Sequence, residues 1–239
     1  AGAGGTVPGG TGTYLVMSCG VLVFDMDGVL VDVTGSYREA IRQTVLRFTG
    51  RDPGAEAIQD LKNEGGWTND WAVAHELIRR QGVRAGFDAV VEEFQSLFLG
   101  RGGDGLMRGE RWMARPGLLE NLGARRRLAI FTGRPRAEAE MTLRTFAPAL
   151  AFDPVVGAED VAHGKPAPDG LLRILELARP APLWYVGDTV DDARSARAAG
   201  VPFIGIAAAS APRRAELESL LRSEGAVAVL EDINQLERV

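Results

Sequence analysis

VLVFDMDGVLVD, residues 21–32, is a short apolar run that breaks into Asp25, Asp27 and Gly28. Such a run reads as a strand buried on both faces that delivers polar groups at its carboxyl end. Outward from it, comparable runs recur as LAIFT at 128–132, LWYVGD at 183–188, VPFIGI at 201–206 and VAVL at 227–230. Helix-like stretches lie between them over 136–146, 168–178, 191–199 and 213–222. This alternation predicts an α/β fold with a doubly wound, mostly parallel sheet. In such a sheet, ligands sit beyond the carboxyl ends of the strands.

Residues 34–113 interrupt the alternation with helical patterns and no good strand. Tyr37, Ile41, Val45 and Phe48 recur near every fourth position, as do Trp71, Ala74, Leu77 and Ile78, and Val90, Phe94, Leu97 and Phe98. Gly65-Gly66, Gly82 and the glycines between Gly100 and Gly105 mark breaks between these helices. Pro116-Gly117 reads as the start of the next helix, with Pro116 near its first turn. The expected organisation is a main domain over 17–33 and 114–239, with a small all-helical domain of residues 34–113 inserted after the first strand. Ala1–Val16, AGAGGTVPGGTGTYLV, is read as a vector remnant or flexible arm, since no strand precedes its glycines and no Gly-Lys-Ser/Thr follows.

The chain's 239 residues, 46% of them hydrophobic, suffice for a sizeable core without covalent staples. A net charge of −5 argues against a broad nucleic-acid or anionic-membrane footprint. Cys19 is the one cysteine and His75 and His163 the two histidines, so a Cys- or His-built metal site is excluded and any metal must be held by oxygen. With no apolar run long enough to span a bilayer and no signal-peptide pattern, the expectation is a cytoplasmic protein with no membrane partner.

Asp25 and Asp27 at a strand end repel one another unless a cation or shared proton is present; loop-capping aspartates are the alternative reading. VGDTVDD places Asp188, Asp191 and Asp192 after another predicted strand, at the same edge of the sheet. A hard cation such as Mg²⁺ suits carboxylates from two strand ends plus a substrate phosphate. Asp188 is the better ligand candidate, and helix capping accounts for Asp191 or Asp192. In FTGRP, Thr132 and the amides from Gly133 onward suit a phosphate oxygen, with Thr132 as a helix N-cap the competing reading. Arg134 reads equally as an aid to anion binding or as an exposed surface residue. Only two of the 27 basic residues are lysine, Lys62 and Lys165. A chain so consistent in using arginine retains lysine where a compact ammonium is needed, and Lys165 in HGKPAPD carries that reading best.

FDMDGVLVD, FTGRP, GKP and VGDTVDD occur in this order, each at or near a strand end, from Cys19 onward. The combination resembles the haloacid dehalogenase superfamily of aspartate-nucleophile hydrolases, and the helical insert resembles the cap of its subclass I, subfamily IA. The resemblance implies a Rossmann-like core and a Mg²⁺ cofactor. It makes Asp25 the nucleophile that forms an aspartyl-phosphate and Asp27 the acid, then base. It gives Thr132 and Lys165 phosphoryl oxygens to hold. Mg²⁺ falls to the side chains of Asp25 and Asp188 and to the main-chain carbonyl of Asp27, and Asp192 becomes a supporting acid.

The expected activity is hydrolysis of a small phosphorylated metabolite. Asp27 disfavours dehalogenation, which has no comparable leaving-group proton to deliver. Phosphonate hydrolysis would need Lys62 as a buried amine, and its place in LKNEGGWTNDW looks more like a substrate-contacting loop. A sugar-phosphate mutase of the β-phosphoglucomutase type is the runner-up, and a noncatalytic binding module is disfavoured by the retained acids. Lys62, Asn63, Trp67, Asn69 and Asp70 are the candidate specificity residues, against the alternative of an ordinary interhelical turn with packed tryptophans. LKNEGG and NDW resemble a subclass IA branch associated with histidine biosynthesis, which points to histidinol phosphate. Composition and motifs leave oligomeric state open.

Overall fold

The computed structural model describes residues 20–179 and 181–238. The expected arm at 1–16 and Cys19 lie outside the described residues. The chain runs β1 (Val21–Phe24), β2 (Val31–Asp32), α1 (Tyr37–Thr49), α2 (Gly54–Glu64), α3 (Asp70–Arg80), α4 (Phe87–Leu99), β3 (Arg111–Trp112) and α5 (Leu118–Gly123). It continues through β4 (Arg127–Phe131), α6 (Arg136–Phe146), β5 (Phe152–Val156), α7 (Asp169–Ala178), β6 (Leu183–Gly187), α8 (Val190–Ala199), β7 (Phe203–Ile206), α9 (Arg214–Ser223) and β8 (Ala228–Leu230).

Six strands form one parallel sheet in the order β5-β4-β1-β6-β7-β8. From β1 the chain builds outward through β4 and β5, then returns to the other side of β1 for β6 to β8. The direction of winding therefore reverses at β1, where an α/β sheet opens a crevice. Phe24 is level with Ile130 of β4 and Val186 of β6. Asp25, Thr132 and Asp188 consequently leave the sheet along one edge.

The unbroken apolar run of β1 reflects burial on both faces. Leu22 and Phe24 enter one apolar layer with Ile41, Leu118 and Leu122, while Val21 and Val23 enter another with Leu171, Ile174 and Tyr185. The first layer continues into the helices between β2 and β3, where the stripes Val73, Ala74, Leu77, Ile78 and Val90, Phe94, Phe98 are buried. Helix α1 buries Tyr37, Ala40, Ile41 and Val45 and ends at Gly50, whose φ of 70° closes a left-handed cap on the Leu46 carbonyl. No helix among the described residues is long and apolar enough to cross a membrane.

Three local expectations need correction. The span 34–113 contains a strand, β3, which pairs antiparallel with β2; two-residue strands carry no readable period. FDPVV forms β5, which is missing from the apolar runs quoted above because Asp153 and Pro154 break its pattern. As an edge strand, β5 tolerates a proline. Pro116 lies ahead of α5 rather than in its first turn, and Gly117 at φ 87° is the residue before the helix.

Candidate active site

Beyond the strand ends lies a cavity with about 910 Å³ of non-atom space, including the part open to solvent. Asp25, Asp27, Gly133, Lys165 and Asp188 line its sheet side, and Arg38, Lys62, Asn69, Asp70 and Trp71 line its helical side.

Asp25 follows β1 directly and its amide donates to the Val186 carbonyl at 2.8 Å, so the sheet ladder itself sets its position. The residue is 6% exposed. Its Oδ1 accepts from the Met26 amide at 2.8 Å and pairs with Lys165 Nζ at 3.0 Å. Both contacts fall on Oδ1, and Oδ2 has no hydrogen-bond partner among the described residues. Burial pushes the Asp25 carboxyl well above the usual range; Lys165 opposes the shift, and Asp192, Asp188 and Asp27 add to it.

Lys165 Nζ also meets Asp192 Oδ1 at 2.7 Å and lies over the rings of Phe131 and Tyr185, at 5.0 and 5.5 Å from their centroids. Burial works against its charge, but Asp192 and Asp25 outweigh burial and hold the ammonium protonated. Asp192 is saturated: Tyr185 Oη and Thr189 Oγ1 donate to it at 2.6 Å each, as do the Thr189 and Asp188 amides at 3.0 and 3.2 Å. Burial raises its proton affinity, and Lys165 with these hydrogen bonds brings it below the usual range.

A second cation occupies the other flank. Arg134 is 2% exposed, which settles against a surface arginine. Its Nε and Nη2 both donate to Asp27 Oδ1, the former at 2.8 Å. Nη2 also pairs with Glu110 at 2.8 Å, Nη1 donates to Thr142 Oγ1 at 2.8 Å, and the guanidinium carbon lies 4.8 Å from the centroid of the Tyr37 ring. Tyr37 in turn donates to Glu138. Burial opposes the charge on Arg134, and Asp27, Tyr37 and Glu110 sustain it.

Thr132 is buried and, unlike Gly133, does not line the cavity; its Oγ1 accepts from the Arg134 amide at 3.1 Å. Helix α6 starts after Pro135, so Thr132 is not its N-cap. Asp191 points away from the acidic group: its carboxylate accepts from the Gly66 amide at 2.8 Å and the Trp67 amide at 3.1 Å, tying α8 to the turn between α2 and α3. Across that turn Thr68 Oγ1 donates to the Lys165 carbonyl at 3.2 Å.

Carboxylate oxygens of Asp25, Asp188 and Asp192 lie within 4.8 Å of one another. The Asp27 side chain, turned to Arg134, is not in this group. The donor set suits a hard dication, because Asp192 is saturated while the Asp188 carboxylate has no hydrogen-bond or ion-pair partner among the described residues. Burial and Asp192 push the Asp188 carboxyl up to about 7, partly offset by Arg38, Lys62 and Lys165. Gly28 makes room for it: with φ at +73°, a Cβ there would stand 2.0 Å from Asp188 Oδ2.

On the helical side, Lys62 Nζ pairs with Asp70 at 2.7 Å, and Asn69 Oδ1 caps α3 by accepting from the Ala72 amide at 3.1 Å. Asn63 does not line the cavity; it is buried and accepts from Gln59 Nε2 at 2.8 Å. Trp67 packs against the apolar layer, and Trp71 is the tryptophan that lines the cavity. Sequence reasoning missed Arg38, Tyr37 and Glu110. The placement of Arg38 one residue after the α1 stripe begins is the one local hint, whereas Glu110 has none.

Residues 20–200 match the family model of haloacid dehalogenase-like hydrolases. The chain is 34% identical over 194 residues to an imidazoleglycerol-phosphate dehydratase of Phytophthora nicotianae, covering 77% of this chain but 42% of that protein. A phosphoglycolate phosphatase of Escherichia coli K12 is 28% identical over 203 residues, 77% of this chain and 80% of that one. Among solved structures, phosphatase Tt82 from Thermococcus thioreducens superposes with a TM-score of 0.59 at 27% identity, over 84% of this chain and 99% of that one.

Proposed function

This chain belongs to the haloacid dehalogenase-like hydrolase family, and on that premise we propose that it hydrolyses a small phosphomonoester through a phosphoryl group carried on Asp25. The observation that carries this reading is the state of Asp25: a buried, cavity-lining carboxylate fixed through Oδ1 by Lys165, with no partner on Oδ2 among the described residues and Asp188 close by. Asp25 Oδ2 attacks phosphorus as the bond to the leaving oxygen breaks, and Asp27 gives that oxygen a proton. Asp27 then takes a proton from water, whose oxygen attacks phosphorus and frees Asp25 and inorganic phosphate. Arg134 occupies Oδ1 of Asp27 and leaves its Oδ2 for this proton. Lys165, Thr132 and the Gly133 amide receive phosphoryl oxygens. Mg²⁺, held by the side chains of Asp25 and Asp188 and the main-chain carbonyl of Asp27, would neutralise phosphoryl charge.

In this reading residues 34–113 form the cap and residues 17–33 and 114–239 the core. The cap supplies Lys62, Asn69, Asp70 and Trp71 to the leaving-group side. The names of the relatives put phosphoglycolate first in a substrate panel, with histidinol phosphate and hexose monophosphates beside it. Asp25→Asn is expected to abolish Mg²⁺-dependent phosphate release from an aryl phosphate; turnover equal to wild type removes Asp25 from the nucleophile's role. Isomerised sugar phosphate in place of free phosphate would favour a mutase.

A further inference from the structure

The charged side chains of the cavity pair off with one exception of each sign. Lys165 pairs with Asp25, Arg134 with Asp27, and Lys62 with Asp70. Asp188 and Arg38 are left. They share the cavity wall, yet no ion pair joins them. Arg38 is half-buried near the start of α1, and its guanidinium makes no hydrogen bond or ion pair among the described residues. Its Nη1 is buried without a partner, and among the described residues no other side chain lining this cavity has a buried polar atom so placed.

A buried guanidinium nitrogen without an acceptor is costly, because the N–H has lost water and gained nothing. Arginine's planar fork suits a carboxylate or phosphate, which it can meet with two parallel hydrogen bonds. The groups assigned to the transferred phosphoryl, Lys165, Thr132 and the Gly133 amide, come from the segments that follow the strands. Arg38 comes from α1, on the helical side with Lys62, Asp70 and Trp71. An anion meeting it there belongs to the part of the substrate that leaves.

We infer that Arg38 is a substrate-binding residue for a second anionic group, a carboxylate or further phosphate, on the leaving portion of the phosphomonoester. This rests on the phosphatase reading and adds a substrate class to it: dianionic phosphate at one end and a second acid at the other. Asp188 has a cation as its missing partner, and Arg38 has this anion.

The test uses 3-phosphoglycerate and glycerol 3-phosphate, which differ by a carboxylate in place of a hydroxymethyl group. Binding of each to the Asp25→Asn full-length protein is titrated calorimetrically with Mg²⁺ present, so that turnover does not intervene. 3-Phosphoglycerate is expected to bind at least about tenfold tighter, the size of a hydrogen bond to a charged group. Arg38→Met brings the ratio of the two affinities to about one, and Arg38→Lys retains part of it. A ratio near one with Arg38 in place overturns the inference. So does an unchanged ratio in Arg38→Met, including a parallel loss of both affinities, which would put Arg38 on the transferred phosphoryl instead. The phosphatase reading fails by a different result: no phosphate released from either ester, or from an aryl phosphate, by the wild-type protein.

Discussion

Two buried cations flank the paired aspartates, and the molecule builds them from different parts. Lys165 gathers its partners from around the sheet: Asp25 after β1, Asp192 in α8, and the ring faces of Phe131 and Tyr185. Arg134 instead joins Asp27 to Tyr37 at the start of α1 and to Glu110 just before β3. Those two residues sit where the chain enters and leaves the helical insert. Each cation takes Oδ1 of one aspartate and leaves Oδ2 free, so the local chemistry is parallel while the dependence is not. The Lys165 group is fixed by the sheet. The Arg134 group holds its geometry only while both ends of the insert stay in place.

The sharpest way to break this comparison is Lys165→Met. It leaves Asp25 and Asp192 buried without their cation, and a loss of about 3–5 kcal/mol is expected by chemical denaturation, together with loss of phosphate release. Arg134→Lys is expected to be milder in stability, since a charge remains where the fork is lost. Turnover should nevertheless fall about 10²-fold as Asp27 loses its fixed position, while stabilisation by Mg²⁺ persists. Equal losses in both variants would erase the distinction between the flanks.

A smaller effect sharpens the metal side. In chelator, the folded state keeps a proton on Asp188, whose affinity is raised from 3.8 to about 7. The unfolded chain has released that proton, so stability should fall as pH climbs through this window. Saturating Mg²⁺ should flatten that fall, and Asp188→Asn should lessen it, with Asp25 supplying the remainder, in melts recorded across the range; a fall unaltered by both would remove Asp188 as a source. The smallest effect is expected at Glu76, on the outer face of α3, where Arg79 and Arg80 form exposed pairs with it. These hydrogen bonds lower its carboxyl to about 2, but solvent screens such pairs, and Glu76→Gln should leave the denaturation midpoint unmoved.

Elements with a sustained period were readable before the fold was known. The two-faced burial of β1 and the stripes of α1, α3 and α4 follow from residue order alone, and the ends of α7, α8 and α9 fall within one residue of their expected places. The acids stood out because charge at the end of an apolar strand is chemically conspicuous, and Lys165 because lysine is so rare among the basic residues. Arg134 was not: nothing local distinguishes a guanidinium bound for Glu110, Thr142 and Tyr37 from one bound for water. Asn63 was misplaced for the converse reason, since its partner Gln59 lies one helical turn away on the buried face. β5 was lost because a proline at the sheet margin looks, in one dimension, like the end of a strand.

The bond between Asp191 and the amides of Gly66 and Trp67 recognises main chain alone. Gly65 beneath it is constrained, since a Cβ there would stand 2.1 Å from Arg194 Nη1, and Gly66 by its φ of +82°, but the bond to the Trp67 amide is indifferent to the side chain that residue carries. Mutational drift at Asn69 and Trp71, which line the cavity just after the turn, can therefore retune which molecules are admitted without loosening the joint that holds the turn against α8, leaving selectivity and anchorage open to change one at a time.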